Sequence, residues 1–321
     1  MRASTTPPGP VATARPRVAR LAGAPIAFAG AIALALSAAL ACAPAVAAPA
    51  ITADEIGRMV FRLEGEPGRL RMRDGRWEGP PAAPGSATVP RVQVHAELTA
   101  RADLDGDGAE EAVVLLEHEP GGSGRFLYVA VVTRREGRAV MAASRLVGDR
   151  VQVRSLAVRG REIVLEVVRA GPGDAACCPG ELATLAWTLQ RRRLVPTAST
   201  ALTGRLAPAV LDGTRWTLTH WAPGEPATLA RPIEIQVEGA RLSGNAGCNR
   251  FFATLTAEGD TPGALRVSAP GTTRMACEPE AMQAEARFLA ALGSVATFGY
   301  RMGRLHLGPE PGAGPLVFDR R

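Results

Sequence analysis

Six short apolar runs dominate residues 91–190: RVQVHAEL, EAVVLLE, FLYVAVVTR, DRVQVRSLAV, EIVLEVV and ATLAWTL, with Gly or Asp between them. Runs of this length, rich in Val, Ile, Leu and aromatics and bounded by turn residues, read as β-strands. The first alternates apolar and polar residues, as a strand with one face in a core does. This series confines the middle of the chain to a β-rich domain of about 150 residues, a usual domain size. The last 110 or so residues add further strands (TRWTLT, IEIQVEG, LRVS, RLHLG, LVFDR) and one different segment, EPEAMQAEARFLAAL. There Met282, Ala286, Leu289 and Leu292 fall on one helical face, with Pro279 suited to the first helical position and Gly293 to the residue past the end. The predicted fold class is mainly β, or α+β, in two domains.

The N-terminus is of another kind. Arg2, Arg15, Arg17 and Arg20 precede the uncharged run LAGAPIAFAGAIALALSAALA at residues 21–41. A basic region, an apolar region and then small residues are the order of a secretory signal. Ala45-Val46-Ala47 fits cleavage before Ala48, so residues 1–47 are expected to be a signal peptide. As an alternative, Ala39-Leu40-Ala41-Cys42 resembles a lipobox, which would end the signal at residue 41 and lipidate Cys42, although Leu40 sits one place too close to the cysteine. The leader also explains the charge. The chain has 37 basic residues, all Arg, against 31 acidic ones, a formal +6. Removing the four leader arginines leaves 33 against 31, about +2, too even for a nucleic-acid surface, which needs a clustered basic face. The one dense run, Arg191-Arg192-Arg193 between Leu189 and Leu194, reads as a hairpin turn with solvated charges.

Beyond the leader, TADEIGRMVFRL has a short helical pattern, and RLRMRDGRWEG reads as a hairpin turning at Asp74-Gly75. Pro and Gly punctuate residues 79–90, a loop inside the first domain, and residues 204–213. The expected organisation is a β-rich domain at 48–203, a linker at 204–210 and a second domain at 211–321.

The sharpest local pattern is Asp103-Leu104-Asp105-Gly106-Asp107-Gly108-Ala109-Glu110-Glu111. Carboxylates at loop positions 1, 3 and 5 around a Gly-assisted turn suit Ca²⁺. Val114 stands where an EF-hand needs a glutamate, so the nine-residue form resembles the calcium loops of integrin-like β-repeats instead. The candidate ligands for a structural ion are Asp103, Asp105, Asp107 and Glu111, with the Ala109 carbonyl. An acidic turn without metal is the alternative. Cys177 and Cys178 are adjacent, in GDAACCPG, and an exported chain meets an oxidising compartment. Pairing 177–178 with Cys248–Cys277 keeps each bond within one domain; free thiols at 177 and 178, or bonds from them to Cys248 and Cys277, are the alternatives. A redox-active 177–178 pair is a second functional reading.

Catalytic signatures are absent from the sequence. GGSGR lacks the second glycine of a nucleophile elbow, and there is no HExxH, P-loop or GxGxxG. His95, His118, His220 and His306 are isolated in sequence, and Glu278, Glu280 and Glu285 read as helix-start or solvated charges. No catalytic residue and no organic cofactor is expected.

Residues 211–321 resemble the META domain, the family that includes HslJ-like proteins. The resemblance opens at LDGTRWTLT with Trp216 and passes to LSGNAGCNRFFATL, with Gly244, Gly247, Cys248, Asn249 and Phe251. It continues through TTRMAC, with Thr273, Arg274, Met275 and Cys277, and the helix with Glu285, Phe288, Leu289 and Leu292. It implies antiparallel strands with one packed helix, and an envelope or stress-tolerance role that extends to antibiotic resistance in some members. It implies no established catalytic residues. Residues 54–200, with DLDGDGAEEAVVLL, GGSGRFLYVAVV, LVGDRVQV and CCPG, resemble a companion domain of exported META-domain proteins. The expected function is that of a non-enzymatic periplasmic, secreted or lipid-anchored interaction module. Its partner would be an envelope protein, and its membrane contact would come only through the leader or a lipid on Cys42. An inhibitor-like protein-binding module is the third reading.

Overall fold

The structure, a computed structural model, describes residues 49–321 except 67, 82–84, 86–87, 176 and 309–315. The leader, the cleavage point before Ala48 and Cys42 lie outside the described residues. The helical pattern at Thr52 is short: α1 (Ala53–Arg58) is one turn and a half, closed by a capping box between Thr52 and Glu55. Arg134 grips Glu55 through both guanidinium ends (2.9 and 3.0 Å), and this bond draws the Glu55 carboxyl down to about 2. The chain then runs through β1 (Val60–Phe61) and β2 (Leu70–Arg71) to a tight turn at Asp74-Gly75, both at positive φ. The strands flanking this turn diverge, since β2 pairs with β1 while β3 (Arg76–Glu78) joins the next sheet.

That sheet is the antiparallel meander β3, β4 (Arg91–Ala102), β5 (Glu111–Glu119), β6 (Phe126–Arg135) and β7 (Arg138–Asp149). EAVVLLE and FLYVAVV have no polar face because neither face meets water. Val113, Leu115, Val129 and Val131 look one way, into a core with Ile163, Leu165 and Trp187. Val114, Leu116, Ala130 and Val132 look the other way, against Ile56, Phe61, Leu70 and Met72. The sheet is the middle layer of three, and strands buried on both faces read as continuous apolar runs. The second sheet contains β8 (Gln152–Arg159), β9 (Glu162–Arg169), β10 (Glu181–Gln190) and β11 (Arg193–Pro196), with β12 (Ala201–Arg205) also paired to β10. The hairpin expected at Arg191-Arg192 is present, with both residues at positive φ.

The remaining strands are β13 (Arg215–Ala222), β14 (Glu225–Pro226), β15 (Glu234–Glu238), β16 (Arg241–Asn245), β17 (Arg250–Ala257), β18 (Leu265–Val267) and β19 (Gly271–Thr272). After helix α2 (Pro279–Gly293) come β20 (Thr297–Arg301), β21 (Arg304–Gly308) and β22 (Leu316–Arg320). Their order is β18-β17-β16-β15-β13-β22-β21-β20, and the ends meet: Leu265 N–H donates to Ala296 O (2.9 Å) and Phe298 N–H to Gly263 O (2.8 Å). The sheet thus closes into a barrel, filled by Trp216, Ile235, Leu242, Phe251, Leu305 and Phe318 with α2 packed on it.

The helix is where the periodicity places it, but its buried face differs. Ala281, Phe288 and Leu292 are buried, while Met282 is 48% exposed and Ala286 is on the outside. Phe288 fixes the rotation, because its ring is the largest apolar group on the helix and meets Phe251 edge-on (5.4 Å). Gly293 is the last helical residue, and Ser294 makes the cap.

The described residues form one compact unit. Residues 204–210, expected as a linker, contain the end of β12 and the buried Leu206. Met302, at the β20–β21 turn, is buried with the core of the first two sheets, and Val168 and Leu182 are buried with the barrel. Among the described residues no helix is long and apolar enough to cross a membrane.

Candidate functional site

The sequence motif around Cys248 forms a braced corner at one end of the barrel. β16 ends at Asn245, the chain turns at Gly247 (φ +104°), and β17 starts at Arg250. Gly244 is not part of this turn. It lies in β16, where a Cβ would collide with the Glu234 carbonyl, so glycine there permits close approach to β15. Cys248 and Cys277 are disulfide-bonded, with Cα atoms 5.8 Å apart.

Asn249, 5% exposed, ties three segments together. Its Oδ1 accepts from Thr273 Oγ1 (2.8 Å) and Met275 N–H (2.7 Å), and its Nδ2 donates to Glu285 Oε1 (3.1 Å) and Met275 O (3.3 Å). The Asn249 N–H donates to Glu285 Oε2 (2.6 Å). Glu285, which the sequence reading assigned to a solvated face, is the bond between α2 and the motif. Its spacing of seven from the buried Leu292 was a signal that could have found it. Arg274 is exposed, Met275 is 55% exposed, and only the Met275 backbone joins the clamp. Trp216 is buried inside, its Nε1 donating to Thr214 Oγ1 (2.7 Å).

Beside this corner an open groove of about 660 Å³ runs over the outer face of β13, β15, β16 and β17. Arg215, Arg241, Arg250 and Arg321 line it with Glu234 and the exposed Phe252.

Cys177 and Cys178 are also disulfide-bonded, in the loop between β9 and β10. Asp174 holds the base of that loop. It accepts from Gly171 N–H (2.8 Å), Gly180 N–H (2.9 Å) and both ends of the Arg205 guanidinium (2.6 and 3.0 Å). The Arg205 bonds, aided by the two amides, draw the Asp174 carboxyl down to about 2. A carboxyl held below its ordinary value stabilises the fold above that value and loses this contribution as pH falls through the lowered one. The window here is from about pH 4 to about pH 2. The expected result is that a phosphine reductant opens the 177–178 bond faster at pH 2.5 than at pH 4.5, read by thiol labelling and mass. Rates are taken relative to a model disulfide in the same buffer, since acid also protonates the phosphine, and equal relative rates would mean that Asp174 does not hold the loop.

In the acidic loop, oxygens of Asp103, Asp105 and Glu111 lie within 4.8 Å of one another. Asp107 is not in that group; its carboxylate accepts from Ala109 N–H (2.8 Å). Asp103 accepts from Gly106 N–H (2.6 Å) and Gly108 N–H (3.2 Å). Glu111 is buried beneath the loop and accepts from Leu104 N–H (2.9 Å) and Thr133 Oγ1 (3.0 Å). Burial pushes its carboxyl up, and the charges of Asp105 and Asp107 add to that. Oxygens on opposite sides of one Ca²⁺ stand about 4.6–5.2 Å apart, so the three carboxylates fit a shared ion.

The histidines are less scattered than their spacing in sequence implied. His220 and His306 both line a small pocket and flank Val317 on neighbouring strands. Burial, with Arg301 and Arg304 nearby, pushes His306 down to about 4. His95 and His118 are buried strand residues, with Nδ1 at 2.9 Å from Glu97 and 3.4 Å from Glu66 respectively.

A closed antiparallel barrel, braced at one corner by a disulfide and an asparagine that reaches its single helix, defines a small β-barrel module. Residues 209–321 match the family model of the META domain. The residues before 209 lie outside that match. No curated protein matches the chain. One solved structure, titled as the NMR structure of the protein from Burkholderia xenovorans, is 28% identical to it. That likeness covers 35% of this chain and 85% of the other, with a TM-score of 0.30.

Proposed function

We propose that this chain is an exported, non-enzymatic envelope protein whose META domain serves as an interaction module in stress tolerance. The observation that carries the reading is the cysteine pairing: all four cysteines beyond the leader are bonded in two local pairs. Such bonds persist in oxidising compartments, and the leader supplies the route there. The polar groups of the motif support a structural role. Asn249, Thr273 and Glu285 are engaged with one another and with backbone, bracing the barrel beside an open groove. The test is the mass of the protein purified from the cell envelope. It should show cleavage before Ala48, or a lipid on Cys42, together with the loss of four cysteine hydrogens. A cytoplasmic, full-length, fully reduced chain would overturn the proposal.

A second reading, of a structural Ca²⁺, is favoured by the convergence of Asp103, Asp105 and Glu111. An ion there would join the β4–β5 loop to the buried start of β5. Calcium at a hundredfold excess over Kd should then add about 2.7 kcal/mol of stability. The midpoint of thermal unfolding should rise with calcium in the natural chain and stay fixed in Asp103→Asn. A midpoint indifferent to calcium in both would remove this reading.

A further inference from the structure

The groove beside the motif corner has a chemistry that its neighbours leave unanswered. Strand register places Arg215, Gln236, Ser243 and Phe252 directly opposite one another across β13, β15, β16 and β17. At the usual strand spacing this row is about 14 Å long. The residues between these points along the strands, Trp216, Ile235, Leu242 and Phe251, turn into the barrel, so the row is on the outer face. The next row carries Glu234, Asn245 and Arg250.

Charge along the groove is one-sided. Arg321 is balanced by Glu234 (2.8 Å), and Arg241 lies over the Phe252 ring (5.8 Å). Arg215 and Arg250 have no carboxylate partner among the described residues. Phe252, 56% exposed, lies across Gly271, where a Cβ would run into the ring. The strand therefore presents a large aromatic to solvent and glycine makes room for it, instead of folding it away.

We infer that this groove binds a short saccharide carrying carboxylate or phosphate groups. The inference rests on the reading of the META domain as an interaction module. Guanidinium forks match carboxylate and phosphate oxygens. The short polar floor of Gln236, Ser243 and Asn245 suits hydroxyls, and a single aromatic platform suits the apolar face of one sugar ring. A protein segment would call for apolar pockets, and among the described residues Phe252 is the one large apolar side chain exposed in the groove. A nucleic-acid strand would call for several stacking platforms in succession.

The experiment is calorimetric titration of the full mature chain with trigalacturonate, a disaccharide phosphate, neutral maltotriose, inorganic phosphate and an oligothymidylate. The expected result is binding of trigalacturonate, the disaccharide phosphate or both, which tells the carboxylate source from the phosphate source. Maltotriose and inorganic phosphate should each bind at least about tenfold more weakly, as loss of one good contact implies. Arg215→Gln with Arg250→Gln should weaken the anionic sugar by about tenfold or more, and so should Phe252→Ala. These side chains are exposed, so unchanged circular dichroism and melting would certify the fold of each variant. Failure of both anionic sugars to bind overturns the inference. So does binding untouched by the variants, binding matched by inorganic phosphate, or tighter binding of the oligothymidylate through the same arginines. The mass measurement of the envelope protein does not depend on this titration, so the export reading and the ligand class can fail separately.

Discussion

Asn249→Ala is expected to destabilise the protein by about 3 kcal/mol, although it removes only a small polar side chain. The substitution leaves the Met275 N–H without its acceptor and takes one donor from the Glu285 carboxylate. Each partly buried group left short of a partner costs up to about 1–3 kcal/mol. For a unit of this size that corresponds to a fall of roughly 5 °C in the unfolding midpoint. The charged variant sharpens the interpretation. Asn249→Asp keeps an acceptor but faces Glu285 with a second carboxylate, so it should be destabilised at neutral pH and recover in part as acid neutralises the pair. A loss below about 1 kcal/mol in the alanine variant would mean that the corner is held by packing and the disulfide alone.

The second large effect concerns that disulfide. The bonded cysteines are separated by 29 positions. Freeing a loop of this length in the unfolded chain is worth about 3–4 kcal/mol on the chain-entropy account. Cys248→Ala with Cys277→Ala should therefore lower the free energy of unfolding by that amount, with a steeper denaturant slope because the unlinked unfolded chain exposes more surface. Because Asn249 and the bond brace the same two segments, combining all three substitutions should cost less than the sum of the separate losses. Strict additivity would show that the clamp and the bond act on different parts of the structure.

Much of the fold was legible because burial writes itself into strand sequences. The runs from residue 91 to 190 became strands where expected, and the helix after Pro279 formed with proline at its first position. The META resemblance, carried by Trp216, the Gly-Cys-Asn turn and the Thr-Thr-Arg-Met segment, holds in the family match. What stayed hidden was whatever depends on residues far apart in the chain. The face that α2 buries is set by Phe251 across the barrel, which periodicity alone could not rank above Met282. The role of Glu285 depends on Asn249, 36 positions away. The groove arises only when β13, β15, β16 and β17 come into register. Arg215 and Phe252 are unremarkable in sequence, and no local pattern joins them.

The placement of Met302 has a consequence for how such a chain could be cut and rejoined. Its side chain leaves the barrel to complete the core of the preceding sheets, while Val168 and Leu182 complete the barrel in return. An excised META segment would expose a greasy plug, and the remainder would keep an unfilled socket. The two halves are thus poor candidates for shuffling into other proteins one at a time. A lineage that inherits one has a physical reason to retain the other.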